Sequence, residues 1–482
     1  MNDTHAGTTQ KIGIGVDFGT SNSVAALFDG RNITLVKLEQ NSAIMPSATY
    51  IDRQLKITTG QAAIDAYISG NTGRKVELSA EVLGEGRTST GQTGDYGLPE
   101  EAATQKFYGQ SIVDAGEPGR LFRGVKRLLG DSTVSRLMVF DRPFRLVALI
   151  TPLLLYIRQA IEEALAQPGV PPGQQANHAC IGHPVNFEGR ATDSNSSGMR
   201  RLAEACRYAG VERRSFYPEP IAAATSYLLT RSDLSVKRLL AVDFGGGTLD
   251  LCIMEQNNGQ FQVVATHGIG LGGDHIDQQL FRALLFPLLG KGERWRRKGE
   301  DREIETLFPF EQYEDLILNW AVSYRLNQNQ YTTPVMDRMA AGDEAAIKFR
   351  RLYELIKQNY SYLAFQCIKE IKASLSEQQT AWLDIPEIDV ELEVTRSQFE
   401  ELISGLLEDF RLAVTTTLDM ANIESQQVDL VIRTGGSCLI PAVKNILNQQ
   451  FPDKVVEHDP FTGVASGLAI AEYHGLGSAF SD

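Results

Sequence analysis

The chain carries one short pattern twice. An apolar run ends in Val-Asp-Phe-Gly, passes through a small polar turn and resumes as a second apolar run. The first copy runs from Ile12 to Thr20 and returns as Val24–Phe28; the second runs from Leu239 to Thr248 and returns as Leu251–Met254. Each reads as a strand, a tight glycine turn and a return strand. The copies stand about half the chain apart, so the sequence predicts two related lobes, each opening on a hairpin with an aspartate at its turn. Helical and strand patterns alternate between them. Thr151–Ala166 is amphipathic, with Leu154, Ile157, Ile161 and Ala164 on one side; His178–Gly182 is a short strand; Met199–Ala209 and Pro220–Leu229 are helices. Such alternation indicates α/β architecture.

The two turns share a chemistry. A β,γ-phosphate with magnesium needs backbone N–H groups that can come close, short hydroxyls, and carboxylates to hold the metal's water shell. Asp17, Gly19, Thr20, Ser21 and Asn22 supply that set in one turn; Asp243, Gly245, Gly246, Gly247, Thr248 and Asp250 supply it in the other. Either turn alone is also what a glycine-rich β-turn with an Asx hydrogen bond looks like, but two on facing lobes make a phosphate clamp. No Gly-x4-Gly-Lys-Ser/Thr stretch surrounds these glycines, which excludes a P-loop. Gly268, Gly270 and Gly273 form a lone GxGxxG after the strand Phe261–His267, and Asp274–Asp277 behind it argue against a dinucleotide site.

Bulk properties narrow the partners. A chain of 482 residues is long enough for two to four units at roughly 150 residues each. Its formal net charge of -14 disfavours nucleic acid and anionic membrane as partners. Five scattered cysteines, Cys180, Cys206, Cys252, Cys367 and Cys438, fit buried thiols in a reducing compartment. The first residues lack a signal-peptide pattern, and the longest apolar run, Leu146–Ile157, is too short to span a bilayer. A cytoplasmic protein is expected.

Six segments, in order, resemble the ATPase domain of the DnaK-type heat-shock chaperones, within the superfamily of actin, hexokinase and those chaperones. They are VDFGTSNS (Val16–Ser23), FRGVKRLLG (Phe122–Gly130), YPEPIAAATSY (Tyr217–Tyr227), VDFGGGTLD (Val242–Asp250), GIGLGGDHID (Gly268–Asp277) and RTGGSCLIPAVKNIL (Arg433–Leu447). ASGLAIA at Ala465–Ala471 resembles the closing helix, and the nearest likeness is to short bacterial chaperone-like proteins of the YegD type. The resemblance implies ATP or ADP with Mg2+. Asp17 and Asp243 would position the metal through water. Gly19, Thr20, Ser21, Asn22 and Gly245, Gly246, Gly247 and Thr248 would bind the β- and γ-phosphates. Lys126 would neutralise the γ-phosphate, Glu219 and Asp250 would orient the attacking water, and Thr248 would donate to a γ-oxygen. Lys372, Ser376, Gly435, Gly436 and Ser437 match on the nucleoside side. There the chain also departs from the family: Lys369 and Ala373 replace an acid and a base, Leu439 replaces the adenine-facing arginine, and Phe461 replaces an acid after Asp459-Pro460. An insertion over Glu188–Gly198 leaves Arg200 and Arg201 both as candidates for the arginine that follows the Pro184 region. His183 and His275 are read as core or surface histidines.

The expected fold is therefore a two-lobed actin-like ATPase with a nucleotide cleft between the lobes. Lobe I spans 11–236, with an outer part over 51–142; lobe II spans 237–475, with an outer part over 273–388. A peptide-binding domain is not expected, so a chaperone-like ATPase would switch a protein partner or co-chaperone in trans. An actin-like filament protein of the shape-determining type and a small-molecule kinase are the rival readings. Residues 83–117 read as an exposed insertion or mobile loop. Residues 290–345 are strongly charged, and the basic run Arg294, Arg296, Arg297 and Lys298 around Trp295 reads as a solvated helix face.

Overall fold

Both hairpins form, and each nucleates a sheet of the same topology. The computed structural model describes residues 11–88, 103–168, 170, 174–189, 193–229, 231, 236–257, 260–298, 303–459 and 461–479. In the first lobe the strand Gly13–Phe18 pairs antiparallel with Asn22–Phe28, which pairs in turn with Ile33–Leu35. On its other side Gly13–Phe18 runs parallel to His178–His183, and that strand runs parallel to Arg213–Pro218. The second lobe repeats this order. Arg238–Phe244 lies between the antiparallel strand Leu249–Asn257, followed by Gln260–Ile269, and the parallel strands Leu430–Thr434 and Val455–Glu457. Asp17 and Asp243 occupy equivalent places near the ends of the two central strands.

The central strand of the first lobe is buried on both faces, so its residues do not alternate between apolar and polar. Helix Leu146–Leu165 covers one face, through a core that holds Ile14, Val16, Leu149, Leu153 and Ile157. Helix Gly463–His474 lies against the other. A Cβ on Gly13 would stand 2.1 Å from the carbonyl oxygen of Ala469, and one on Gly15 would stand 2.2 Å from that of Ala465. The glycines of the Ile-Gly-Ile-Gly run are thus required for helix-on-strand contact.

The outer parts differ from the sequence expectation in two places. Residues 89–102 of the expected loop lie outside the described residues, but its described flanks are a β-ribbon, Leu78–Thr88 against Ala103–Asp114. Phe107, Tyr108, Ile112 and Val113 are strong strand formers, and Asp114, at the base of the ribbon, pairs with Arg74. The basic run is likewise a strand. Arg294–Lys298 pairs antiparallel with Glu303–Leu307, which sets Arg296 opposite Glu305 and Lys298 opposite Glu303. Arg294 Nε pairs with Glu305 Oε1 at 3.3 Å across the ribbon, and Trp295 packs on Phe308 at 5.9 Å between centroids. Helix Ser194–Tyr208 begins five residues before the expected Met199, so the supposed insertion supplies its first turn.

The outer parts meet over the cleft. Tyr67 of helix Gln61–Asn71 touches Trp320 and Tyr362, with ring centroids 5.2 and 5.1 Å away, and the latter two rings are 4.8 Å apart. The amide of Gly73 donates to the carbonyl of Gln358 at 2.9 Å beside them.

Candidate functional site

The two glycine turns face each other across a cleft of about 420 Å3. They approach so closely that a Cβ on Gly246 would stand 2.1 Å from Ser21 Oγ. The second turn is propped from behind. The amides of Gly273 and Asp274 donate to the carbonyls of Gly245 and Gly246 at 3.0 and 2.7 Å. The lone GxGxxG is thus the strut of a phosphate-type turn.

Two carboxylates at the strand ends, Asp17 and Asp243, form the floor with Asp250 and Glu219. Lys126 sits among them, on the short turn Val125–Leu128, and its Nζ donates to Glu219 Oε1 at 2.6 Å. The lysine is 7% exposed. Burial alone would push its amino group down, but the carboxylates of Glu219, Asp17 and Asp243 outweigh that and hold its pKa above the ordinary lysine value. The carboxylates are pushed the other way. Burial, then repulsion from Glu219, raises Asp17 to about 8 against the pull of Lys126. Burial and Asp250 raise Asp243 to about 7, and burial raises Asp250 to about 6 although the Thr248 hydroxyl donates to it at 2.8 Å.

The lining of the cleft holds five carboxylates (Asp17, Glu188, Glu219, Asp243 and Asp250) against two cations, Lys126 and Arg127. That excess of acidic side chains, their charge held back by burial, suits a divalent cation. Among the described residues no three Asp, Glu, His or Cys side chains converge closely enough to ligate a metal directly.

The wall on the second-lobe side is the loop after Leu430–Thr434. Gly435 has φ 81, in the left-handed region, and a Cβ there would stand 2.5 Å from the carbonyl oxygen of Phe244 and 2.7 Å from Asp243 Oδ1. Only glycine lets the loop pass over the aspartate. Gly436 follows, with the Phe461 ring against it, 3.2 Å from where its Cβ would be.

Of the residues singled out in the sequence, those of both turns, Lys126, Glu219, Gly435, Gly436 and Phe461 line this cleft. Lys372, Ser376, Ser437 and Leu439 stand outside its lining. Lys372 Nζ is 2.7 Å from Asp277 and donates to the carbonyl of Gly273; the Ser376 hydroxyl donates to the carbonyl of Lys372. Ser437 donates to the carbonyl of Gly245 at 3.0 Å, and Leu439 ends the short turn Gly436–Leu439. Arg201 donates to the carbonyls of Leu128, Leu129 and Asp131 and ties its helix to the lysine turn. His183 Nδ1 lies 2.8 Å from the carbonyl oxygen of Pro184, and His275 Nδ1 is buried without a hydrogen-bond partner.

Sequence reasoning passed over Arg127 and Glu188, which line the cleft as an ion pair, Nε to Oε1 3.1 Å. Arg127 was legible as the neighbour of Lys126; Glu188 was not, because it fell in the stretch read as an insertion.

Comparison with known proteins yields one family model, that of the Hsp70 protein, which matches residues 156–290 and 354–473, more than half the chain. The unmatched interval between them contains the ribbon Arg294–Leu307. Curated relatives include the chaperone protein dnaK1 of Synechocystis sp., 29% identical over 309 residues, which are 62% of this chain and 35% of that protein. DnaK of Mycoplasmopsis synoviae is 23% identical over 472 residues, 95% of this chain and 58% of the relative. The dnaK protein of Cyanidioschyzon merolae is 27% identical over 464 residues, again 95% of this chain and 61% of the relative. The chain thus spans less than two thirds of the length of these relatives.

Proposed function

This chain belongs to the Hsp70 family, and from that premise we propose that it binds ATP and ADP with Mg2+ in the cleft, hydrolyses ATP slowly, and uses the difference to switch a protein partner in trans. Its two lobes have the actin-like ATPase fold of that family. The observation that carries the reading is the buried Lys126–Glu219 pair at 2.6 Å, set between two equivalent aspartates.

The chain's own groups suffice for a reaction that consists mostly of positioning and charge neutralisation. The amides of Gly19–Asn22 and Gly245–Thr248 would cradle the phosphates. Lys126 supplies a fixed positive charge where the γ-phosphate develops its negative charge. Glu219 and Asp250, both on the floor, would accept hydrogen bonds from the attacking water and hold it in line. A hydrated Mg2+ held by Asp17 and Asp243 would neutralise phosphate charge and lower the raised carboxylate pKa values described above. Among the described residues no helix is long and apolar enough to cross a membrane, which is compatible with action in the cytoplasm on a protein client or co-chaperone.

Calorimetric titration with ADP, with Mg2+ and after its chelation, tests the binding, and single-turnover hydrolysis of prebound ATP tests the chemistry. We expect Mg2+-dependent binding and slow release of phosphate. Failure to bind either nucleotide in the presence of Mg2+ would overturn the proposal.

A further inference from the structure

The cleft has two cations, and they are held differently. Lys126 is buried and committed to Glu219. Arg127, the next residue, is 31% exposed, and its only carboxylate partner among the described residues is Glu188, itself 37% exposed. The arginine reaches across from the first lobe to the second. Its Cδ and Nε stand 3.0 and 3.2 Å from where a Cβ on Gly247 would be, and its Cδ is 3.9 Å from the corresponding point on Gly124, which also meets Thr20. The side chain therefore lies over Gly247 of the second turn while its Nε donates to Glu188.

Glu188 is anchored by its backbone, and its half-exposed carboxylate accepts from Arg127 Nε. Its carbonyl oxygen abuts Gly130, where a Cβ would come within 2.3 Å, and the preceding Phe187 ring covers Gly198. One step further back Asn186 donates to Thr266 Oγ1 of the second lobe at 3.2 Å. The segment that restrains Arg127 thus also touches the opposite lobe.

Resting on the ATP reading above, we propose that Arg127 is a second γ-phosphate ligand, held off by Glu188 until ATP arrives, and that Glu188 thereby sets the preference of the cleft for ATP over ADP. Half-exposed ion pairs are weak. A γ-phosphate offers the same guanidinium a doubly charged, bidentate acceptor, which is the stronger partner. Arg127 and Lys126 line the same cleft as the two turns, so a γ-phosphate neutralised by Lys126 would lie near Arg127, whereas a β-phosphate would rest on the backbone of the turns. ADP leaves the Arg127–Glu188 pair intact; ATP must break it, and its affinity is reduced by whatever the pair contributes. Arg127 is the binding group in this scheme, and Glu188 is a positioning residue that acts through it.

The test is calorimetric titration of the full chain with MgADP and with the Mg2+ complex of the non-hydrolysable β,γ-imido analogue of ATP. Four variants are compared with wild type: Arg127→Gln, Arg127→Lys, Glu188→Gln and the double variant Arg127→Gln/Glu188→Gln. Arg127→Gln should weaken the ATP analogue by roughly ten- to a hundredfold, the scale of one charge-assisted hydrogen bond, and leave ADP nearly unchanged. Arg127→Lys should recover part of that loss. Glu188→Gln should tighten the analogue by up to about fivefold, with ADP again unchanged. In the double variant the Glu188 effect should vanish, because the two residues act in series. Equal loss for both nucleotides in Arg127→Gln, or a Glu188→Gln effect that persists without Arg127, refutes the proposal. If wild type binds neither nucleotide, the ATP reading itself falls; if it binds both and the ratio does not move in Arg127→Gln, the inference alone falls.

Discussion

Replacing Lys126 with alanine should damage the protein in two separable ways. The ammonium is 7% exposed, 2.6 Å from Glu219, and one of two cations facing five carboxylates. Removing it leaves Glu219 buried without its partner, and breaking a buried pair from one side costs about 3–5 kcal/mol. Glu219 can relieve part of that by taking up a proton, so the lower end, about 3 kcal/mol, is expected. A domain with a total stability of about 5–15 kcal/mol survives such a loss. The kinetic effect comes from the transition state. Loss of one preorganised charge at the γ-phosphate is worth about 2.7–4 kcal/mol, roughly a hundred- to a thousandfold in rate. Urea denaturation measures the first effect and single-turnover hydrolysis of prebound ATP the second. The double variant Lys126→Met/Glu219→Gln separates them: the stranded Glu219 charge is gone, so most of the stability should return, while hydrolysis stays slow. Single-turnover hydrolysis by Lys126→Ala within a few fold of wild type would refute the assignment of Lys126. A double variant as unstable as Lys126→Ala would show that the stability loss does not come from the stranded carboxylate.

Two further outcomes follow from the floor and wall of the cleft. Asp17, Asp243 and Asp250 have folded-state pKa values of about 8, 7 and 6, all above 3.8. The folded chain therefore keeps protons that the unfolded chain releases, and nucleotide-free stability should fall as pH rises, by about 4 kcal/mol between pH 6 and pH 8; urea midpoints that stay level or rise over that interval would contradict it. Phe461 faces Gly436 on the cleft wall while Leu439 lies outside the lining, so Phe461→Ala should weaken ADP and GDP alike by about fivefold, the scale of one stacking contact. A strong preference for ADP that survives Phe461→Ala, measured by calorimetry, would mean that another group reads the base.

Much of the fold was legible because its signals are local. A strand that ends in Asp-Phe-Gly, a glycine turn and a return strand are set by neighbours along the chain, and their duplication announced two lobes built alike. The alternation of helix and strand, and the small residues of Ala465–Ala471, needed no knowledge of what they would meet. What the outer parts do was harder to read. The run Arg294–Lys298 has the composition of a solvated helix face, and only the facing strand Glu303–Leu307, with charges opposed in register, makes it half of a ribbon. Ser194–Gly198 looked inserted until it formed the first turn of a helix.

At the site, residue types and spacing nominated Asp17, Asp243 and the two turns, and the family resemblance added Lys126 and Glu219. They could not say that Lys126 and Glu219, 93 positions apart, would close to 2.6 Å. Nor could they say that Lys372 would turn to Asp277, or that Arg127 would lie between Glu188 and Gly247. Local backbone preference depends on a few adjacent side chains, so the sequence determined the hairpins. The partner of a long charged side chain depends on which surfaces the packing of the two lobes brings together, and only the tertiary structure decided that.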